Sequence, residues 1–291
     1  MRPTVFAAAA AFLGLLAGVA LAAPWLFPAG PFHTSTSLLS TPSWVAPMGT
    51  DDLGRSLAAG VAYGARTSLL VALGVGLIAG VIGILVGGLA GFMGGAADDI
   101  LMRIAEMTWV LPRFFLAIAT AAIFGARIAP LIVLLGVVSW PGPARILRSA
   151  VLGQRGLPYV EAARSIGGRP ARLFLRHVLP NSLAPFVVSI TLLAGNAILI
   201  EAGLSFLGLG DASNPSWGSM LRDAQPLMRE APWTVLFPAA AVSLTVLAIN
   251  LIGDSLVDRL SPWSRRAADG SRLRSDSRTA QVSAPIVERR G

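Results

Sequence analysis

The chain has 291 residues, of which 54% are hydrophobic and 13% charged, and its mean hydropathy is +0.69. A soluble globular domain carries about a quarter of its residues as charged side chains, so this composition excludes one, and it also excludes a disordered chain. The absence of cysteine excludes a disulfide framework, a thiolate nucleophile and a cysteine-ligated metal. All 23 basic residues are arginines, against 15 acids. We attribute the net charge of +8 to loops beside anionic lipid and not to nucleic acid.

Six apolar segments approach or exceed the length of about 20 helical residues that crosses a bilayer. In chain order they are residues 5–23, 67–97, 100–124, 128–144, 178–200 and 231–253. The sequence therefore predicts an all-α fold, a polytopic membrane bundle of six transmembrane helices. Arg103, Glu106 and Arg113 interrupt the third segment, and Pro112 can bend it. The first segment has an alternative interpretation, in which residues 20–22 end a cleaved secretory signal.

The distribution of arginines sets the expected orientation. With the N-terminus inside the cell, seventeen arginines fall in inner segments and five in outer ones, so both termini are predicted to be cytoplasmic. The predicted organisation is an N-terminal transmembrane helix in residues 1–27, an extracytoplasmic segment in 28–66, a transmembrane core in 67–260 and a disordered basic cytoplasmic tail in 264–291.

Motifs for catalysis and nucleotide binding are missing from the sequence. A chain without lysine cannot form the phosphate-binding loop that ends in Gly-Lys-Ser/Thr. His33 and His177 lie several spans apart, form no zinc-binding pair and offer no base to a serine nucleophile. Asp98 and Asp99 are interpreted as a solvated turn between the second and third spans. We therefore expect a transporter subunit or a structural membrane protein, not an enzyme, with no cofactor on this chain.

The loop between the fourth and fifth segments, residues 145–181, has a helical pattern. Pro158 suits a helix start, Glu161 stands in the first turn, and Gly167 suits a C-terminal cap. A second short helix is predicted for residues 171–178, ending near Leu179-Pro180. Val160, Ala163 and Ile166 follow one another at three-residue spacing, which predicts an apolar face that inserts into a groove on a partner.

This loop resembles the EAA loop of binding-protein-dependent ABC importer permeases. The resemblance rests on Glu161-Ala-Ala, three residues, Gly167, nine residues, and then His177-Val-Leu-Pro180. The general pattern has isoleucine at the histidine position, and the ending at residues 176–181 is similar to the dipeptide and oligopeptide branch. Five further segments agree in order with the C-type permease subunit of peptide and nickel importers: residues 49–55, 63–69, 201–210, 215–221 and 250–254. Ser56 and Gly203 depart from that pattern.

The resemblance implies the transmembrane domain of a type I ABC importer, with a cytoplasmic coupling helix that contacts an ATPase. The residues implied in this contact are Glu161, Ala162, Ala163, Arg164, Gly167 and Arg172. The implied partners are a second permease subunit in a heterodimer, two ABC ATPase subunits that bind ATP and magnesium, and an extracytoplasmic solute-binding protein, all at the inner or plasma membrane of a prokaryote. An alternative is a loop helix that only packs under its own bundle.

The implied cargo is a dipeptide or oligopeptide. Nickel, glutathione or another small solute is an alternative cargo for the same machinery. A secondary transporter or channel is the alternative from another functional class, and a membrane-embedded enzyme is disfavoured because catalytic constellations are missing.

Charged residues within or beside the spans suggest further roles. Arg113 is expected to line the translocation path and meet a substrate carboxylate or another anion, with Glu201 towards the outer end of that path. The alternative is a structural ion pair of Arg113 with Glu106 or with Glu201. Five outer acids are expected either to touch a binding protein or to form a solvated rim: Asp51, Asp52, Asp211, Asp223 and Glu230.

Overall fold

The computed structural model of the chain describes residues 3–260, so the tail predicted for 264–291 lies outside the described residues. Four long helices are α1 (Pro3–Leu26), α2 (Leu57–Met93), α9 (Leu179–Phe206) and α11 (Trp233–Leu260). The others are α3 (Gly95–Trp109), α4 (Arg113–Phe124), α5 (Ile128–Ser139), α6 (Pro141–Arg155), α7 (Pro158–Ser165), α8 (Pro170–Leu173) and α10 (Trp217–Ala224). A π-helical turn, Phe174–Val178, joins α8 to α9, and a 3-10 turn, Gln225–Leu227, follows α10. Within the described residues, the only β pairing is an isolated bridge between Thr50 and Ser56.

Five helical stretches of the described chain are long and apolar enough to cross a membrane. They are α1, α2, α5 with α6, α8 with α9, and α11. A sixth span is obtained when α3 and α4, which meet at an angle of 70°, are counted together. The predicted all-α membrane bundle is therefore confirmed, with five spans, or six when the bent pair is counted as one, and the protein is a multi-pass membrane protein.

The boundaries of several spans differ from the sequence-based prediction. The third span is broken into α3 and α4, because Pro112 takes an extended conformation (φ −72°, ψ 105°) and becomes the N-cap of α4. Helix α2 begins at Leu57 instead of residue 67, since the Ser56 hydroxyl accepts a hydrogen bond from the Ala59 N–H. The break predicted near Pro180 is wrong, because proline is tolerated in the first turn of a helix.

Helix α2 is the centre of the bundle, and glycines bring it very close to α6. The Gly87 Cα lies against the Ala144 main chain, and a Cβ on Gly91 would approach the Arg148 carbonyl oxygen to 2.8 Å. Lipid supplies no hydrophobic force between helices, so such close backbone packing is a main source of helix association. The two helices therefore form one rigid pair, against which α9 also packs.

For orientation within the bundle, we call the end that carries residues 156–178 the loop end. The opposite end, built by residues 27–56 and 207–232, is the cap end. At the cap end Trp217 is fully buried, and its indole N–H donates to the Val61 carbonyl oxygen at 3.0 Å. The Thr67 hydroxyl donates to the Pro215 carbonyl oxygen at 2.8 Å, so the segment before α10 is fixed to α2.

The α2–α6 contact predicts opposite effects for the same substitution at two glycines. Gly87→Ala places a Cβ on the Ala144 main chain and should cost roughly 1–3 kcal/mol of stability by overpacking. Gly153→Ala, on α6 with open space around its Cα, should be neutral or should stabilise by about 0.5–1 kcal/mol through helix propensity. Thermal unfolding of the detergent-solubilised protein measures both effects. Equal melting temperatures for the two variants would contradict this account of the contact.

Candidate functional site

Helix α7 is a short helix with a defined start and stop at the loop end. Pro158 occupies its first turn, and Gly167 follows it with φ at +83°, a left-handed conformation that glycine adopts without strain. The Gly168 N–H donates to the Ala163 carbonyl oxygen at 3.1 Å, and a Cβ on Gly168 would approach that oxygen to 2.6 Å. Gly167 therefore supplies the backbone conformation and Gly168 the space for the sharp turn into α8.

The apolar face predicted for α7 is divided between two environments. Val160 is fully buried in a cluster with Leu147, Val151, Val178 and Phe186. Ile166, in contrast, is 87% exposed at the end of the helix. The expectation that Val160 enters a partner's groove is thus wrong, because the base of the protein's own bundle already holds this side chain.

The six residues implied in an ATPase contact fall within twelve positions of α7, the glycine turn and α8. Ala163 is half-buried and the others are exposed: Glu161, Ala162, Arg164, Gly167 and Arg172. The Ser165 hydroxyl donates to the main-chain carbonyl oxygen of Glu161 at 3.0 Å, so it stays bound within its own helix. The structure thus presents these residues together at the surface of the loop end.

A small polar network that the sequence analysis did not identify joins both ends of the loop. The Tyr159 hydroxyl donates to the Gln154 side-chain oxygen at 2.8 Å, and the Asn181 amide donates to the His177 carbonyl oxygen at 2.7 Å. The Asn181 amide also lies 3.4 Å from the Tyr159 hydroxyl. The end of α6, the start of α7 and the start of α9 are therefore linked through Tyr159.

Two arginines of α6 fix that helix to its neighbours at the loop end. Arg155 donates to the carbonyl oxygens of Gly91 and Phe92, at 3.0 and 3.2 Å, and so caps the C-terminus of α2. Arg148 makes a two-pronged ion pair with Asp98 at 2.5 and 2.6 Å. Asp98 is only 7% exposed, so its interpretation as part of a solvated turn is wrong, and the reason is this arginine fifty residues later in the chain.

Arg113 does not form the ion pair considered for it, with Glu106 or with Glu201, within the part of the chain that the structure describes. Its guanidinium carbon lies 5.2 Å from the centre of the Trp109 ring, which is a cation–π contact. Arg145 lies at the same distance from the same ring. The prediction from sequence missed Arg145, because two helices, α4 and α5, separate it from Trp109 along the chain.

Glu201 is a buried carboxylate near the cap end of α9, with 3% of its surface exposed. The Ser205 hydroxyl donates to its Oε1 at 2.6 Å. Among the described residues its Oε2 has no hydrogen-bond partner, although the Ser216 side chain lies close to the carboxyl group. The residue lines a small pocket between α4, α5 and α9, together with Thr120, Arg127 and Asp211 among others.

The outer acids are partly engaged in local structure at the cap end. Asp51 accepts hydrogen bonds from the main-chain N–H groups of Leu53 and Arg55, at 2.9 and 2.7 Å, while burial raises the pKa of its carboxyl. Asp211 accepts from the Ser213 N–H at 2.9 Å. The Asp223 carboxylate pairs with Arg222 at 2.8 Å. Asp52 and Glu230 are exposed. Within residues 3–260, no three acids or histidines converge as a metal site would require.

The Asp98–Arg148 pair predicts a difference between two adjacent acids. Asp98→Asn should lower stability by about 1.5–3 kcal/mol, the usual contribution of a hydrogen bond to a charged group, since Arg148 keeps an uncompensated charge. Asp99→Asn should have little effect, because Asp99 is exposed. Thermal unfolding in detergent checks the prediction, and an Arg148→Gln change added to Asp98→Asn should recover part of the loss. No difference between the two single variants would contradict it.

Comparison with known proteins shows clear relatives over most of the chain. Residues 83–266 match a family described as the binding-protein-dependent transport system inner membrane component. The di/tripeptide transport system permease protein of Pseudomonas aeruginosa is 40% identical over 88% of each chain. The dipeptide transport system permease protein of Alkalihalophilus pseudofirmus is 40% identical over 84% of this chain and 81% of its own. The glutathione transport system permease protein of Pectobacterium atrosepticum is 39% identical over 90% and 88%.

Two solved structures of the MetNI methionine ABC transporter, both inward facing, share the fold. One has a TM-score of 0.57 at 21% identity, over 69% of this chain and 96% of that one. The other has a TM-score of 0.54 at 23% identity, over 70% and 96%. The expected type I ABC importer fold is thereby confirmed. Because residues 83–266 match the family and relatives about 40% identical cover most of the chain, the chain belongs to the family of binding-protein-dependent transport system inner membrane components.

Proposed function

We propose that this chain is the permease subunit that forms, with a sister permease, the translocation path of an ATP-driven peptide importer in the cell membrane of a prokaryote. The observation that carries the proposal is α7, whose EAA residues are exposed while Val160 anchors the helix to the bundle. Relatives named for dipeptide, di/tripeptide and glutathione transport support a peptide as cargo. Glutathione is itself a tripeptide, so it is the alternative cargo that these names favour.

The ATP chemistry of this machinery belongs to partner chains. Without lysine this chain cannot supply a phosphate-binding loop, so ATP and magnesium are bound by two separate ATPase subunits. A solute-binding protein would deliver cargo to the cap end, where Asp52 and Glu230 offer exposed carboxylates. Both termini and the loop end would then face the cytoplasm.

The proposed contact with the ATPase uses Glu161, Ala162, Ala163, Arg164, Gly167 and Arg172. Small alanines let a helix approach a partner closely, and the two arginines and the glutamate offer charges to pair at the rim. Because Val160 is packed beside residues of α6 and α9, a displacement of α7 would carry the base of both helices with it. Docking there would couple nucleotide-driven closure to the spans.

The proposed translocation path includes Arg113 and Glu201. Both side chains carry charge within candidate spans, where an ionisable group is expensive unless it faces protein or water. Glu201 lies towards the cap end and Arg113 deeper, at the start of α4.

Blocking the exposed face of α7 should uncouple the importer without unfolding it. Ala162→Trp adds a bulky side chain at a position that is not packed against the bundle, since Ala162 is exposed. We expect the variant to insert normally but to retain the ATPase subunits poorly on co-purification and to lose substrate-stimulated ATP hydrolysis. Ala212→Trp, at an exposed position of the cap end, is the matched control and should retain the ATPase subunits. Normal retention and coupling in Ala162→Trp would refute the docking role.

The natural absence of cysteine allows a direct test of orientation. Ala162→Cys and Ala212→Cys each introduce the only thiol in the chain, at exposed positions of the loop end and the cap end. A membrane-impermeant maleimide applied to intact spheroplasts should label Ala212→Cys at once and Ala162→Cys only after permeabilisation. Labelling of Ala162→Cys from outside would show that the loop end faces outwards, and it would refute the proposal that an intracellular ATPase binds α7.

A further inference from the structure

The break between α3 and α4 places an unusual feature at membrane depth. Arg113 is the first residue of α4, and Phe124 is the last, so Arg113 lies about 16 Å below the cap end of that helix. Helices α3 and α4 count together as one candidate span, so the break between them falls within that span. Non-helical backbone at such a depth is tolerated only where protein or a water-filled cavity covers it. The exposed residues of the break, Val110 and Leu111, are therefore expected beside the sister subunit or the path.

Trp109, the last residue of α3, is seated against α6 at this break. A Cβ on Gly142 would lie 2.9 Å from the indole ring, so only glycine lets the ring approach α6 this closely. The guanidinium carbons of Arg113 and Arg145 each lie 5.2 Å from the centre of that ring. The indole thus contacts two cationic side chains from different helices, one from α4 and one from α6.

These two charges have no acidic partner among the residues that the structure describes. The ion pairs in residues 4–256 are Asp98 with Arg148 and Arg222 with Asp223. The N-terminus of α4 adds a partial positive charge at the same place, because its N-cap is Pro112 and no side chain caps it. A cation within a span normally pairs with an acid or marks a substrate pathway. The group formed by Arg113, Arg145 and the N-terminus of α4 therefore lacks a negatively charged partner among the described residues.

We propose that Arg113 and Arg145, held on Trp109, form a binding site for a carboxylate of the cargo during its passage. The ligand class is a small molecule with a free carboxylate, such as the C-terminus of a peptide. The identification of the carboxylate with a peptide rests on the proposed function. The site itself rests on the two unpaired guanidiniums and their common indole support.

The chemistry of the two arginines suits a carboxylate in transit. A guanidinium presents parallel N–H donors that match the two oxygens of a carboxylate, and it keeps its charge in a low-dielectric site. Stacking on the indole limits the number of side-chain conformations, so less conformational entropy is lost when the anion binds.

The functional test compares two cargos that differ only in the carboxylate. The complete importer, with sister permease, ATPases and binding protein, is reconstituted in liposomes, and uptake of a dipeptide and of its C-terminal amide is measured. Arg113→Gln and Arg145→Gln should each reduce dipeptide uptake by about tenfold, the effect of losing one charge-assisted hydrogen bond, and change amide uptake little. The binding protein is the same in every sample, so its own preference cancels in the ratio of variant to wild type. Arg103→Gln, an exposed arginine of α3, is the matched control.

A binding test separates this site from the proposed function. The purified complex is treated with phenylglyoxal, which modifies guanidinium groups, in the presence of N-acetylglycine or of the neutral N-acetylglycinamide, and modified residues are located by mass spectrometry. N-acetylglycine should protect Arg113 and Arg145 but not Arg103, and the amide should protect none of them. This result would support the site even if the wild-type complex transported no peptide, an outcome that would refute only the proposed cargo.

Three results would overturn the inference. Equal loss of dipeptide and amide uptake in the variants would indicate a structural role for the arginines. Equal labelling with and without N-acetylglycine would show that no carboxylate binds. Loss of the sister permease from Arg113→Gln on purification, without protection by N-acetylglycine in the wild type, would assign an acid of that subunit as the missing partner.

Discussion

The close approach of α2 and α6 is the contact on which the loop end depends. Because Gly87 and Gly91 have no side chains, the two backbones lie against each other, and Leu147 and Val151 of α6 are placed beside the base of α9. That arrangement creates the cluster that receives Val160 of α7. A wider separation of α2 and α6 would disrupt the cluster in which Val160 is buried, and the exposed residues of α7 would then have no fixed position. Backbone packing within the membrane therefore determines how the loop is presented outside it.

Three charged groups within the spans are accommodated in three different ways. Asp98 is paired with Arg148, and the pair fixes the start of α3 to α6. Within the described part of the chain, Glu201 accepts one hydrogen bond, from the Ser205 hydroxyl, and its other oxygen has no partner. Arg113 rests on an aromatic ring that a second arginine, Arg145, also contacts. Asp98 is thus fully paired, Glu201 is partly paired, and Arg113 has no acidic partner within the described residues. Glu201 and Arg113 can therefore still bind a molecule that enters the bundle.

Local chemistry made much of this structure predictable from the sequence. The apolar runs gave the number of spans, Pro158 and Gly167 gave the start and stop of α7, and Pro112 indicated the bend in the third span. Contacts between distant segments were not predictable. The partner of Asp98 is fifty residues away, the burial of Val160 depends on α9, and Arg145 reaches Trp109 only because α6 passes beside the break. Period and composition describe one helix at a time, so they carry no information on which helix lies next to it.

The π-helical turn before α9 changes the angular register of the chain. In it the Leu179 N–H bonds to the Phe174 carbonyl oxygen, five residues back. In an α-helix, residues five apart differ in direction by about 140°, so Leu173 and Val178 would face different sides. The wider turn brings both of them into the protein interior, while Arg172 and Arg176 remain exposed. A single extra residue in this turn thus acts as a phase shift: α8 and α9 continue as one helical stretch, and Leu173 and Val178 both stay buried on either side of the turn.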